Sequence, residues 1–388
     1  MRTLALILAA GFSTRMGAFK PLLPLPEADG GTCPALEFLC RTYAERHVPV
    51  LVVSGFRGDE VDAVARACGA RGVRNPHPEN GMFSSVRTGL AVIPEEVDAV
   101  FVHPVDIPLV RPMTVQRLLD AAVETDAILL PSFAGNEGHP PLIPRRYARR
   151  ILAWQGQGGL RGALEGLPQR AVPVADALCL PDMDTQADYA ALRQAAPRRH
   201  LLSPAEAEIM LDIEGLPPRG QRHCRAVGAV AAALARALTA ARAARGEPPV
   251  DAEEALVGGL LHDIRKGHPE HEAAAGRLLR HYGMERLAWL VESHRDLSLP
   301  DGMPLSAREL VFLADKVVCG AWVLPLERRF QQKLDQFRGD AEACAAIEGR
   351  RERAARLAAR FAAEVHVRAE TVALTAAPPW DERERAGS

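Results

Sequence analysis

Lysine is almost absent from this sequence. Of 47 cationic residues in 388, only Lys20, Lys266, Lys316 and Lys333 are lysines. Arginine is the default cation, so each lysine marks a position where a compact point charge replaces the planar fork. An excess of charge is missing too. The 47 cationic and 49 acidic residues leave a formal net charge of −2, which offers no nucleic-acid or membrane surface. No apolar run approaches the roughly 18 residues of a transmembrane helix. The seven cysteines (33, 40, 68, 179, 224, 319 and 344) are scattered and form no CxxC pair. That argues against a disulfide framework or a thiolate zinc site and predicts a reducing, cytoplasmic setting. There is no internal repeat, no GK[ST] of a Walker A loop and no GxGxxG spacing.

What is present alternates. Up to about residue 190, short apolar runs (Leu4–Ala9, Pro49–Val53, Ala99–Val102, Ala127–Leu130) are separated by helix-like stretches (Ala35–His47, Asp59–Cys68, Val115–Val123). Continuous apolar strands between helices predict an α/β domain with a mostly parallel, Rossmann-like sheet and helices on both faces. Around "RQAAPRRHLLSPAEAEI", residues 193–209, the pattern breaks, and Ser203-Pro204 with Glu206 reads as a fresh helix start. Beyond it nearly everything is helical with no strand-like run, and eight of the twelve histidines lie after residue 198. The predicted division is an α/β domain over 1–197, an all-α domain over 198–366 and a disordered tail over 367–388.

The stretch "LALILAAGFSTRMGAFKPLL", residues 4–23, has two outlines. Arg2, the apolar run and Ala9-Ala10-Gly11 match a secretory signal with a small-residue cleavage site. The same letters match a buried strand ending in a glycine turn whose backbone N–H groups, with Arg15 and Lys20 beside them, neutralise phosphates. The carboxyl end of a parallel strand is where open α/β sheets bind ligands.

The pattern L-A-A-G-x-S-x-R-M-G-x-x-K resembles the nucleotidyltransferases of molybdenum-cofactor biosynthesis. Four further segments match in order: "NPHPENGMFSSVRTGL" (75–90), "VFVHPVDIPLV" (100–110), "GNEGHPPLIPRR" (135–146) and "DMDTQADYAAL" (182–192). Five ordered segments reject the signal-peptide outline. The resemblance implies a nucleotide site over Ala9, Ala10, Gly11, Ser13, Arg15, Gly17, Lys20, Gly81, Ser84 and Ser85, with Arg15 and Lys20 catalytic. It implies an acceptor side at Gly138, His139 and Arg161, and Mg²⁺ on Asp106, which follows an apolar strand and is also catalytic. Asp182 and Asp184 lie in the closing segment, where strand alternation is expected to turn only one of them into the metal shell. Structural alternatives stand beside these: a turn role for Asp106 before Pro108, N-capping for Ser84 and Ser85 ahead of a helix over Val86–Val92, and a turn role for His139. The sequence departs from the family at Gln157, where Asp is more usual, and in a longer loop at Glu27–Thr32. Ala9-Ala10-Gly11 matches the cytidylyltransferases, whereas guanylyltransferases carry Ala-Gly-Gly, so CTP is expected over GTP.

In the second half, His262-Asp263 ends the apolar helical run "EEALVGGLLHD". Neighbouring helix positions lie about 100° apart, so both side chains reach one ion at a helix end. With His223 before the pair and His271, His294 and Asp315 after it, the order resembles the HD-domain metal-dependent phosphohydrolases. The resemblance implies a metal on His223, His262, Asp263 and Asp315, a second on His271 and His294 bridged by Asp263, and a phosphate-contacting, catalytic Lys266. Nitrogen and oxygen ligands favour iron or manganese. His200, His268, His281 and His366 are taken as bystanders. Together the resemblances imply a bifunctional enzyme that transfers CMP or GMP from an NTP to a phosphate acceptor, molybdopterin, and hydrolyses a phosphate compound. A molybdenum enzyme is a candidate partner. The alternatives are a sugar- or alcohol-phosphate acceptor, and a second half that senses nucleotides without catalysis.

Overall fold

Strand β1 (Thr3–Ala9) shows why the first apolar run is continuous rather than alternating. Leu4, Leu6 and Leu8 enter one hydrophobic cluster and Ala5, Ile7 and Ala9 another, on opposite faces of the sheet. The computed structural model describes residues 1–294, 296, 297, 300 and 302–379. The chain divides into two units, the first Met1–His200 and the second beginning at Leu201.

In the first unit a small antiparallel hairpin, β2 (Pro24–Pro26) and β3 (Thr32–Pro34), holds the loop noted at Glu27–Thr32. The main sheet comprises β1, β4 (Val50–Ser54), β5 (Arg71–Arg74), β6 (Ala99–Pro104), β7 (Ile128–Phe133), β8 (Asn136–Glu137), β9 (Leu142–Pro144) and β10 (Gln169–Pro173). Its order is β10-β7-β9-β6-β1-β4-β5, with β8 on β7. β9 runs antiparallel to β6 and β7, whereas β1 pairs in parallel with β4 and β6. Helices α1 (Ala35–Ala44), α2 (Gly58–Ala67) and α4 (Pro112–Ala121) supply the cluster on the Ile7 face. Helices α3 (Met82–Ala91), α5 (Ala148–Ala153) and α6 (Gly159–Leu164) supply the Leu6 face. From β1 the chain moves outward to β4 and β5, then returns to β6 on the other side of β1. The carboxyl ends of β1 and β6 therefore flank a topological switch point, where such sheets open a crevice for ligands. A last helix, α7 (Gln186–Ala195), starts in a capping box between Thr185 and Asp188.

One buried group of this core makes its stability depend on pH. On β6, His103 is fully buried; Tyr43 Oη donates to its Nδ1 (2.8 Å), and its Nε2 donates to the Ile107 carbonyl (3.0 Å). Burial pushes its pKa down to about 3. Between about 3 and the ordinary 6.5 the unfolded chain binds a proton here that the folded chain does not. The stabilisation is complete above 6.5 and is lost as pH falls, at about 1.4 kcal/mol per pH unit. His103→Gln, which carries no titrating proton, should flatten the acid side of a curve of unfolding free energy against pH. An unchanged slope would contradict the neutral, buried assignment.

The second unit contains α8 (Pro204–Ile213), α9 (Pro218–Ala243), α10 (Ala252–Leu261), α11 (His271–His281), α12 (Glu285–Val291), α13 (Ala307–Val317), α14 (Leu326–Gln336), α15 (Ala341–Val365) and α16 (Ala369–Ala373). α8 begins in a Ser203/Glu206 capping box with Pro204 in the first turn, as the sequence predicts. α9 and α10 cross where Gly259 meets Gly228: a Cβ on Gly259 would lie 2.5 Å from Gly228 Cα. Only glycine permits that approach, and it seats the end of α10, with His262 and Asp263, against α9. α9 has the length and apolar composition of a membrane span, but Val227, Val230, Leu234 and Leu238 are buried in the core of this unit. The region is helical as expected, apart from a small antiparallel hairpin of Val318–Cys319 (β11) and Trp322–Val323 (β12) where no strand was expected. Within the expected tail, Ala369 and Ala373 of α16 are buried and the helix packs on α9; residues 380–388 of that tail lie outside the described residues.

Candidate active sites

At the switch point the loop after β1 is closed by Ser13, whose Oγ accepts from the Lys20 backbone N–H (3.1 Å). Lys20 Nζ then donates to Asp184 Oδ1 (2.6 Å) and Asp106 Oδ2 (3.3 Å), while Arg15 Nη1 donates to Asp184 Oδ2 (2.6 Å). A cavity of about 400 Å³ opens here, lined by Ala10, Gly11, Ser13, Arg15, Lys20, Gly81, Ser85, Asp106 and Asp184 among others. A Cβ built on Gly11 or Gly81 would meet nothing within 4 Å, so both backbones border open space. The hydrogen bond from Lys20 lowers the pKa of Asp184. Burial raises that of Asp182, reinforced by the neighbouring Asp184 and Asp106.

Of these two carboxylates Asp184 lines the cavity, and Asp182 lies close enough to feel the charge of Asp184 and Asp106. Met183, between Asp182 and Asp184, is fully buried and its N–H donates to the Asp106 carbonyl (2.8 Å), which pins the closing segment beside β6. Ser84 and Ser85 are not N-caps, because α3 starts at Met82 with Gly81 at the cap position. Ser84 Oγ instead donates to the Gly81 carbonyl (2.7 Å), and buried Asn75 donates to Ser84 Oγ (2.8 Å) and Ser85 Oγ (3.0 Å). Ser85 lines the cavity; Ala9, Gly17, Ser84 and Asp182 do not. His139 stands near the acids: burial lowers its pKa, while Asp106 and Asp182 pull it up, and its buried Nδ1 has no hydrogen-bond partner. Gly138 has a packing reason to be glycine, since a Cβ there would lie 2.6 Å from the Cys179 carbonyl. Arg161, on α6, is exposed and is not brought to the cavity.

In the second unit, His262 and Asp263 follow α10 and are both buried. The two oxygens of Asp263 face different partners. Oδ2 lies 3.6 Å from His262 Nε2, 3.9 Å from His223 Nε2 and 2.9 Å from Lys266 Nζ. Oδ1 lies 3.3 Å from His271 Nε2 and 3.4 Å from His294 Nε2. Asp315 Oδ1 is 3.4 Å from His223 Nε2 and 3.8 Å from His262 Nε2. Three overlapping groups, His223–His262–Asp315, His262–Asp263–His294 and His271–Glu272–His294, each bring their ligand atoms within 4.8 Å of one another. Burial pushes His262 down to about 3, which keeps its imidazole neutral. Asp263 is held well below the usual carboxylate range: burial opposes this, but His262 and the hydrogen bonds from His271 and His294 outweigh it. His262 Nε2 is buried without a hydrogen-bond partner. An orphaned donor atom of this kind, in a set of nitrogen and oxygen ligands, fits a borderline divalent ion. In the first unit an all-oxygen acidic set beside open space fits a hard ion such as Mg²⁺.

The MobA-like NTP transferase domain matches residues 5–172 and the HD domain matches residues 220–318. This chain joins a MobA-like NTP transferase domain to an HD domain. Molybdenum cofactor cytidylyltransferase from Escherichia coli (strain K12) is 25% identical over 188 residues, which is 47% of this chain and 92% of that protein. "Probable molybdenum cofactor guanylyltransferase" from Mycobacterium avium (strain 104) is 28% identical over 199 residues, 50% of this chain and 97% of its own. The crystal structure of Rv0371c from Mycobacterium tuberculosis H37Rv shares 25% identity over 50% of this chain and 98% of that one, with a TM-score of 0.43.

Several residues escape sequence reasoning. In the transferase domain these include Asn75, which fixes both serines, and the cavity residues Glu79 and Met82. The quoted 75–90 segment contains all three but does not single them out. In the HD domain a cavity of about 900 Å³ opens over the histidine cluster. His268, taken as a bystander, lines it, as do Lys316, Arg329 and Lys333. One signal was available for Lys333: lysine is so scarce that all four occurrences fall at one of the two cavities.

Proposed function

We propose that the first domain transfers a nucleoside monophosphate, CMP in preference to GMP, from an NTP to the phosphate of molybdopterin, and that the HD domain hydrolyses a phosphate ester or anhydride. The observation that carries the first part is the Lys20 ammonium between Asp106 and Asp184 at the switch point. In this reading an acceptor phosphate oxygen attacks the α-phosphorus, the bond to the β-phosphate breaks, and pyrophosphate leaves with the electron pair. The acceptor is already anionic, so alignment and charge neutralisation matter more than a strong base. Lys20, Arg15 and the Gly11 loop meet the phosphates, Asn75 holds Ser85 towards the nucleotide, and His139 stands on the acceptor side of the acids. Mg²⁺ held by Asp106 with Asp184 or Asp182 would neutralise charge on the phosphates.

For the HD domain, His223, His262 and Asp315 would hold one ion, His271 and His294 another, with Asp263 between them. Iron or manganese there would supply an activated water and polarise the phosphate. Lys266, 2.9 Å from Asp263, is the cation next to the attacked group. The scattered spacing of the seven cysteines, with no CxxC pair, supports a reducing cytoplasm.

The CMP preference rests on Ala10, which is 2% exposed and packs under Gly55, where an added Cβ would meet the Ala10 methyl at 2.8 Å. The methyl thus sets the position of the loop backbone under the base. One methyl group is worth about 1–3 kcal/mol in a pocket, so the expected preference for CTP is about tenfold. A competition between equal CTP and GTP, scored by the base incorporated, tests this, and faster incorporation of GMP reverses it.

A further inference from the structure

Beyond Asp315 the HD-domain cavity is lined by two helices, α14 and α15, that lie outside the part of the chain matching the HD domain, which ends at residue 318. α14 brings Arg329 and Lys333 to the cavity, and α15 brings Arg350. Arg329 and Lys333 are four residues apart, so they stand on one face of α14, about 6 Å apart along its axis. Like charges at that spacing repel, and a chain that otherwise avoids lysine has placed one here. The carboxylates facing the cavity are engaged elsewhere: Asp263 by Lys266 (2.9 Å) and Asp315 by Lys316 (2.7 Å). Arg329 Nη2 reaches Asp315 Oδ1 at 3.4 Å, but its buried Nη1 has no hydrogen-bond partner. Among the described residues the Lys333 ammonium has no carboxylate within salt-bridge distance. Glu270 is the remaining acid on the cavity wall. Burial and the neighbouring Arg329, Lys316 and Arg350 depress Lys333 to about 8, although Asp315 pulls it up.

We propose that the HD-domain substrate carries at least two contiguous phosphoryl groups, the second held by Arg329 and Lys333. This rests on reading the domain as a phosphohydrolase. The first phosphoryl group sits at the histidine–carboxylate cluster. Arg329, next to Asp315, and Lys333, one turn further along α14, meet the next group. Hydrolysis consumes one water. Its oxygen bonds to the phosphorus at the cluster, the P–O bond to the second phosphoryl group breaks, and the electron pair leaves on that group's oxygen. The water's protons pass to the products and solvent. The charge that develops on the leaving oxygen lies where Arg329 and Lys333 can neutralise it. The cavity also has apolar wall at Phe337 and Ile347, so the shared chemistry, a diphosphate, has two sources: inorganic pyrophosphate or a nucleoside diphosphate.

The test is calorimetric and uses the full chain, treated with chelator so that no turnover occurs. Wild type, Lys333→Gln, Arg329→Gln/Lys333→Gln and Lys333→Arg are titrated with methylenediphosphonate, inorganic phosphate and CDP. The transferase domain is identical in all four, so differences among them report the second cavity. The ratio of diphosphonate to phosphate affinity should fall about tenfold or more in the double variant, less in Lys333→Gln, and recover in Lys333→Arg. A ratio unchanged by both Gln variants overturns the proposal. CDP affinity that falls more than that of diphosphonate identifies a nucleoside diphosphate; an equal fall identifies pyrophosphate. Because the ratio is read without metal or turnover, a wild-type chain that hydrolyses no phosphate compound overturns the phosphohydrolase reading and leaves this ratio to be judged by itself.

Discussion

Asp106→Ala should lower nucleotidyl transfer by about a thousandfold or more, read as pyrophosphate released per enzyme at saturating NTP and Mg²⁺. The magnitude follows from what Asp106 touches. Its carboxylate is one of two that hold the Lys20 ammonium, and it borders the cavity at the switch point. Removing it takes away a hard-ion ligand and frees Lys20 from one side, so the α-phosphate loses charge neutralisation and alignment together. Folding should survive, because Asp106 follows β6 in a turn and its backbone carbonyl, which anchors Met183, is kept. Lys20→Ala should approach the same loss. Near-normal turnover by either folded variant would refute the role given to this cluster.

The second large effect is expected at Asp263. Asp263→Asn preserves shape but removes the charge that two sets of imidazoles share, His223 and His262 at one oxygen, His271 and His294 at the other. Even residues that only orient a metal ligand cost about 10–100-fold in affinity or activity, so loss of the shared ligand should cost at least about a hundredfold in both. Metal content measured beside phosphatase activity checks this, and the two should fall together. His281→Ala is the control, since His281 is exposed on α11 and does not line the cavity; His268 is unsuitable because it does. Full metal and full activity in Asp263→Asn would require another mechanism.

The parts of this molecule legible in the sequence are those where one physical demand acts on a few neighbouring residues. A strand covered on both faces must be apolar throughout, so β1, β4 and β6 announce themselves, and the glycine turn after β1 follows. His262-Asp263 is legible because two ligands sit side by side at a helix end. The less legible features depend on distant partners. The start of α3 at Met82, which moves Ser84 and Ser85 inside the helix, follows from the 3₁₀ turn at Pro78–Asn80 and from Asn75 reaching across to both serines. Which of Asp182 and Asp184 lines the cavity depends on how the closing segment is anchored, with Met183 buried between them. Arg161 follows a motif position, yet α6 carries it to the surface. Arg329 and Lys333 belong to no recognisable pattern. Only their convergence with Asp315 reveals them, and the scarcity of lysine is their one trace in the sequence.

The most direct test of the central claim follows label from the α-phosphate of CTP in the purified full-length chain with Mg²⁺ and molybdopterin. The account predicts a labelled molybdopterin–cytosine dinucleotide whose formation is lost in Asp106→Ala. Label that remains in CTP or appears only as free CMP, with no dinucleotide from CTP or GTP, would contradict it.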